Sequence, residues 1–357
     1  VPCTTAATGG DGHDDAVPAD AYNRAAVICR DPTSSDPHLI AQAHVKEADT
    51  MRTMRLGTSQ LEVPVVAVGC MRIDTLDRRE AERFVHAALD EGASFFDHAD
   101  IYGGGACEEV FAEAVGMNAG VRDQLILQSK CGIRPSLGTF DFSREHILAS
   151  VDGILRRLRT EYLDVLLLHR PDALVEPDEV AAAFDSLERE GKVRHFGVSN
   201  FHPHQIDLLK RSVRQPLVAN QLQLSITHAS MITSGVHVNM QRDAAVDRDG
   251  YVLDYCRAND ITIQPWSPVQ DGRTGGTFLG SDAFPELNAA LEEAADRHGV
   301  SPTTIAIAWL LRHPARMQPV IGTTKVERLR ECCRASDVQL TREEWYALYR
   351  SAGHTLP

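Results

Sequence analysis

The sequence predicts an α/β fold, one (β/α)8 TIM barrel of about 300 residues, on three observations. Eight short apolar, β-branched runs alternate with amphipathic stretches from Arg55 onward. Strict βα alternation implies parallel strands joined by right-handed helical crossovers, and eight such units match a closed barrel in count and length. The competing fold, a doubly wound open sheet, calls for a GxGxxG turn after its first strand; the segment there, VGCMRID, lacks it.

The first run, VPVVAVG (63–69), leads into DRREAERFVHAALDEG, where Phe84, Ala87 and Ala88 recur at helical steps and Gly92 closes the helix. ASFFDHA (93–99) precedes EEVFAEAVG, and QLILQSK (124–130) precedes SREHILASVDGILRRLR. LDVLLLH (163–169) is followed by EPDEVAAAFDSLEREG, and VRHFGVS (193–199) by PHQIDLLKRSV. PLVANQLQ (216–223) leads through a long insert to a helix over VDRDGYVLDYCRAND. ITIQPWS (261–267) is the seventh run; SPTTIAIAWLLRH precedes the eighth, QPVIG (318–322), and KVERLRECCRA follows it.

Residues 1–50 have another texture, rich in Ala, Asp, Pro, Thr and Gly without a sustained period, with eight acidic against three basic residues. Such a segment buries too little apolar surface to offset its ordering entropy, so a disordered leader is expected there. The first methionine is Met51, and an over-called N-terminal extension is the other reading. The barrel domain is assigned to 54–357.

The formal charge of -14 argues against nucleic acid or an anionic membrane surface as the main partner. No apolar run approaches the ~18 residues of a membrane span, and the first residues lack the charged start and apolar stretch of a secretory signal. The eight cysteines form no CxxC pair and no zinc-spaced cluster. A reduced, cytoplasmic protein without a metal is expected. No extra oligomerisation element is visible, so a monomer is the default.

Catalytic groups of such barrels sit at the C-terminal ends of the strands. Strand 2 ends FFDHADIYGG, strand 3 QSKCG and strand 4 LLLHRPD, so Asp97, Tyr102, Lys130 and His169 converge on one rim. Singly, each has a structural explanation: a capping aspartate, a packed tyrosine, a solvated lysine, a satisfied histidine. Together they make chemical sense. A tyrosine hydroxyl with a pKa near 10 is a poor acid at neutral pH, and an adjacent ammonium favours its phenolate. Lys130 supplies that ammonium, Asp97 holds it, and His169 can orient and polarise a carbonyl oxygen.

These segments, with GKVRHFGVSNF and PVIGTTKVERLRE, resemble the aldo/keto reductase family from about Met54 to Pro357, closest to a bacterial cytoplasmic oxidoreductase branch. The resemblance implies that Asp97, Tyr102, Lys130 and His169 form the family's catalytic tetrad. It further implies an NADPH-dependent reduction of a small carbonyl substrate, with Tyr102 giving the proton. His98 stands where many members have Thr or Ser.

By the same resemblance, Ser199, Asn200 and Gln221 hold the nicotinamide carboxamide and Trp266 stacks on its ring. Ser267 and Val269 lie along the pyrophosphate, and Gly69, Cys70 and Met71 approach the nicotinamide. Thr323 and Arg328 bind the 2′-phosphate. Gly322 replaces a lysine common in the family, and Lys325 can compensate from two residues further on. The substrate pocket is expected between the loop after strand 2, the insert 226–247 and the C-terminal tail. Two other classes compete with this reading: a lyase using Lys130 as Schiff-base nucleophile, which leaves Tyr102, Trp266 and GTTKVER without linked roles, and a non-catalytic nucleotide-binding sensor.

Overall fold

The computed structural model describes residues 51–272 and 274–357, and the leader over 1–50 lies outside the described residues. The eight runs become the strands β1 (Ala67–Gly69), β2 (Phe95–Asp97), β3 (Ile126–Cys131), β4 (Leu163–Leu168), β5 (Val193–Ser199), β6 (Leu217–Gln223), β7 (Thr262–Trp266) and β8 (Val320–Ile321). They form one closed barrel in sequence order, with β8 returning to β1 through Val320↔Ala67 and Ile321↔Val68. This is the (β/α)8 architecture the alternation predicts.

The first run is divided. Glu62–Pro64 pairs antiparallel with Thr53–Arg55 in a hairpin, and only Ala67–Gly69 enters the barrel. Leu56 and Val63 of that hairpin pack with Ala67, Phe95, Val165, Leu167, Val218, Ala219 and Val320 into a small apolar cluster. Gly57, at φ 55°, makes the turn, and a Cβ there would lie 2.4 Å from Val218 O. The hairpin seals one end of the barrel with apolar side chains, which a continuous strand could not do.

A larger cluster lies between the barrel and its helices. The helix Arg78–Asp90 shows how sequence builds it. Asp77 caps it in a reciprocal box with Glu80, while Ala81, Phe84, Val85 and Ala88 turn inward. Burying a side chain such as Phe84 contributes about 1.5–3 kcal/mol.

The predicted helix over 246–260 starts later than its pattern suggested. The Asp247 carboxylate accepts the backbone N–H groups of Asp249, Gly250 and Tyr251 in a turn, and the helix runs only from Val252 to Ala258. Helices that the sequence reading does not anticipate include Pro285–His298 and Arg342–Ser351. The second is held by Trp345, which stacks on Trp309 at 4.7 Å while each indole N–H donates to the other's backbone carbonyl. That pairing spans 36 residues, beyond any local pattern.

Candidate active site

Asp97 ends β2, Lys130 lies one residue before the end of β3, and Tyr102 lies in the loop after β2. That loop turns back through Gly103, Gly104 and Gly105, all at positive φ. At Gly103 a Cβ would meet Asp74 Oδ2 at 2.5 Å, so the turn excludes side chains. It brings the phenol to Lys130. The Lys130 ammonium donates to Asp97 Oδ2 at 2.8 Å, to His98 O at 2.7 Å and to Tyr102 Oη at 3.2 Å. The His169 ring meets Tyr102 edge-on with centroids 6.0 Å apart. The four residues of the predicted set therefore share one rim.

Burial acts on three of them. Lys130 is fully buried, which would lower its pKa, but Asp97 and Tyr102 outweigh that, and the ammonium is held above its ordinary value. For Tyr102 burial wins: the phenol is raised, and Lys130 offsets this only in part. The sequence reading had the direction of the Lys130 effect but not the larger desolvation opposing it. His169 is pushed down to about 2 by burial, then by Lys130 and Arg170, and is neutral throughout the physiological range. Its Nδ1 is buried without a hydrogen-bond partner among the described residues. His98 is likewise pushed to about 3, by burial and then Lys130, and packs edge-on against Phe111 at 4.6 Å.

The residues assigned to the nicotinamide are hydrogen-bonded to one another. Asn200, at φ 63°, donates its amide to Ser199 Oγ at 2.8 Å and accepts from Trp266 Nε1 at 3.1 Å. Ser199 Oγ donates to Gln221 O at 3.1 Å. Ser199 and Gln221 are buried, whereas Asn200 and Trp266 keep part of their surface open. Ser267, at φ 52°, follows in a turn closed by Gln270, and Val269 is half-buried.

At the β8–β1 side, Gly69 is a close-packing position, since a Cβ would lie 2.9 Å from Ile321 O. The Cys70 side chain is buried, and Met71 is exposed. Thr323 Oγ1 accepts from Lys325 N at 3.1 Å. Lys325 and Arg328 are exposed and form no ion pair among the described residues, whereas Arg330 pairs with Glu91 at 3.2 Å. Arg72, overlooked in the sequence, lies here too: a Cβ on Gly322 would sit 3.1 Å from its Nη2. The side chain missing at 322 leaves room for this guanidinium.

The insert 226–247 and the C-terminal tail are tied together. His237 Nε2 lies 2.8 Å from Thr355 O and His354 Nε2 lies 2.7 Å from Ile226 O. Among the described residues, no helix is long and apolar enough to cross a membrane.

Behind the rim sits a charged set that the sequence reading missed. Buried Glu108 accepts from Ser129 Oγ and Arg157 Nε, each at 2.7 Å. Asp100 Oδ1 is buried without a hydrogen-bond partner among the described residues, and burial followed by repulsion from Glu108 raises Asp100 to about 7. The folded protein thus keeps a proton that the unfolded chain releases near pH 4, so stability falls as pH rises from about 4 to about 7. Asp100→Asn is expected to flatten that fall, measured by urea unfolding across pH. Parallel curves for variant and parent would show that Asp100 does not carry the slope.

The aldo/keto reductase family model matches residues 56–351. An uncharacterized oxidoreductase of Bacillus subtilis, YcsN, is 34% identical over 83% of this chain and 97% of its own length. A 6-dehydroglucose reductase of Agrobacterium fabrum is 34% identical over 83% of this chain and 96% of its own. Among solved structures, the thermostable aldo-keto reductase Tm1743, determined with the inhibitor epalrestat, superimposes with a TM-score of 0.68 at 28% identity, covering 84% of this chain and 100% of that one.

Proposed function

This chain belongs to the aldo/keto reductase family, and on that premise we propose that it is an NADPH-dependent reductase of aldehyde or ketone carbonyls. The observation that carries this reading is the buried Lys130 ammonium bridging Asp97 Oδ2 and Tyr102 Oη, with His169 against the same phenol.

The nicotinamide, when bound, supplies the hydride. The protein supplies the rest. His169, neutral because it is buried, donates a hydrogen bond to the carbonyl oxygen. Tyr102, protonated at neutral pH, gives that oxygen its proton as negative charge grows there. The Lys130 ammonium stabilises the phenolate left behind, and Asp97 keeps the ammonium in place. The same contacts weigh against a Schiff-base role, because Lys130 is buried, charged and hydrogen-bonded to three acceptors.

The residues present suit a phosphorylated dinucleotide. The open face of Trp266 can take the nicotinamide, with Asn200 and Gln221 beside it and Gly69, Cys70 and Met71 approaching it from the end of β1. Ser267 and Val269 would hold the pyrophosphate. The exposed cations Lys325 and Arg328, with Thr323 and now Arg72, favour a 2′-phosphate in a chain that is otherwise strongly acidic. Arg328→Ala is accordingly expected to weaken NADPH binding at least tenfold while leaving NADH nearly unchanged, read by quenching of protein fluorescence. Equal effects on the two would place the phosphate elsewhere.

The direct test is NADPH oxidation by the purified chain with small aldehydes, a diketone and a sugar aldehyde, the last because a relative is named for 6-dehydroglucose. Turnover that prefers NADPH supports the proposal. Tight NADPH binding without turnover would favour a cofactor sensor, and binding of neither nicotinamide would overturn the reading.

A further inference from the structure

A chain of buried glutamines runs through the barrel interior to Asp97. Gln128, Gln264 and Gln318 are fully buried and Gln221 nearly so, in a layer that other barrels fill with branched apolar side chains. Gln318 Nε2 donates to Pro64 O of the hairpin at 2.7 Å. Gln318 Oε1 accepts from Gln264 Nε2 at 2.9 Å. Gln264 Oε1 accepts from Gln128 at 2.9 Å and Gln221 at 3.3 Å, and Gln264 Nε2 also donates to Gln128 Oε1 at 3.2 Å. The remaining amide hydrogens of Gln128 and Gln221 go to Asp97 Oδ1, at 2.6 and 3.1 Å.

The polarity of this chain is determined from both ends. Pro64 O can only accept, so Gln318 must present its nitrogen there and its oxygen to Gln264. A carboxylate at Asp97 can also only accept, so Gln128 and Gln221 must present their nitrogens to it. The two requirements are met by one arrangement in which each –NH2 of Gln128, Gln221 and Gln264 uses both hydrogens. Reversing a single amide would place two oxygens or two nitrogens face to face.

We propose that this glutamine chain is a clamp that sets the orientation of the Asp97 carboxylate, making Gln128 and Gln264 positioning residues for the Lys130–Tyr102 pair. Asp97 Oδ1 is held by two amides, so Oδ2 is left in one place, where Lys130 meets it, and Lys130 in turn reaches Tyr102. The clamp also turns the Gln221 nitrogen inward. These amides do not titrate, so the clamp keeps its geometry across the working pH range.

The inference rests on the reductase reading, and the experiment separates the two. Wild-type turnover tests the reading by itself. Gln128→Met removes one donor to Asp97; kcat is expected to fall at least tenfold with the KM for NADPH unchanged, and a crystal structure of the variant should show the 3.2 Å Lys130–Tyr102 contact broken, a readout that needs no turnover. Gln128→Glu places an acceptor where a donor is required. Burial and the neighbouring Asp97 carboxylate raise the introduced carboxyl well above its ordinary range, so the variant should be impaired on the alkaline side and recover toward wild type as pH falls and the carboxyl gains a proton to donate to Asp97. The charged or titratable groups facing it are Asp97 from β2, Lys130 on its own strand and Tyr102 beyond. Gln128→Met should show no acid recovery. If Gln128→Met fails to fold, Gln264→Met, one bond further from Asp97, is read in the same way. Wild-type kinetics with an unmoved Lys130–Tyr102 contact, or identical pH profiles for the two Gln128 variants, would overturn the clamp.

Discussion

Tyr102→Phe is expected to lower the rate of carbonyl reduction by roughly 10²–10⁴-fold, the contribution typical of a positioned general acid. Only a hydroxyl is removed. The ring that meets His169 edge-on stays, so NADPH affinity should change little. Burial keeps the Tyr102 phenol protonated, so the wild-type reduction rate should hold across neutral pH and fall only on the alkaline side, where the proton is lost. That alkaline limb should be missing from whatever activity the variant retains. The comparison needs kcat, cofactor affinity and the pH profile on the same preparations. Equal losses in binding and turnover would remove Tyr102 from the proton-donor role.

The second large effect is expected at Lys130. Lys130→Met leaves Asp97, also buried, without its counterion. Breaking a buried pair from one side typically costs about 3–5 kcal/mol, because the remaining charge is uncompensated. Turnover should fall together with stability, since Tyr102 loses the cation that stabilises its phenolate. The double variant Lys130→Met with Asp97→Asn separates the two losses. Its stability should recover much of the way, because no buried charge is stranded, while its turnover stays low. Denaturant unfolding and NADPH oxidation measured side by side give both quantities. Recovery of turnover along with stability would make Lys130 a structural residue only.

Much of this protein is legible along the chain, and particular residues show why. Periodicity is local: a strand alternates in twos and a helix repeats near three and a half, so eight runs and their crossovers appear without knowledge of any contact. The ends of those runs then place Asp97, Tyr102, Lys130 and His169 on one rim, because all parallel strands of a barrel point the same way. The glutamines left a signal that went unread. Gln128 and Gln264 are polar residues inside apolar runs, two positions before Lys130 and Trp266, and so face the same side of their strands.

What the sequence determined by itself was the order of strands and helices, the closure of the barrel and the rim on which the chemistry lies. Each follows from side-chain pattern within a few residues and from the handedness of the chain. The tertiary structure decided which groups touch and at what cost. The Pro64 carbonyl meets Gln318, 254 residues away, and Gln128 meets Gln264 across 136. Arg72 enters the space that Gly322 leaves open. The Tyr102 phenol is governed more by its burial than by the lysine beside it. Burial and distant hydrogen-bond partners are properties of the closed barrel as a whole, and no stretch of the chain carries them before it folds.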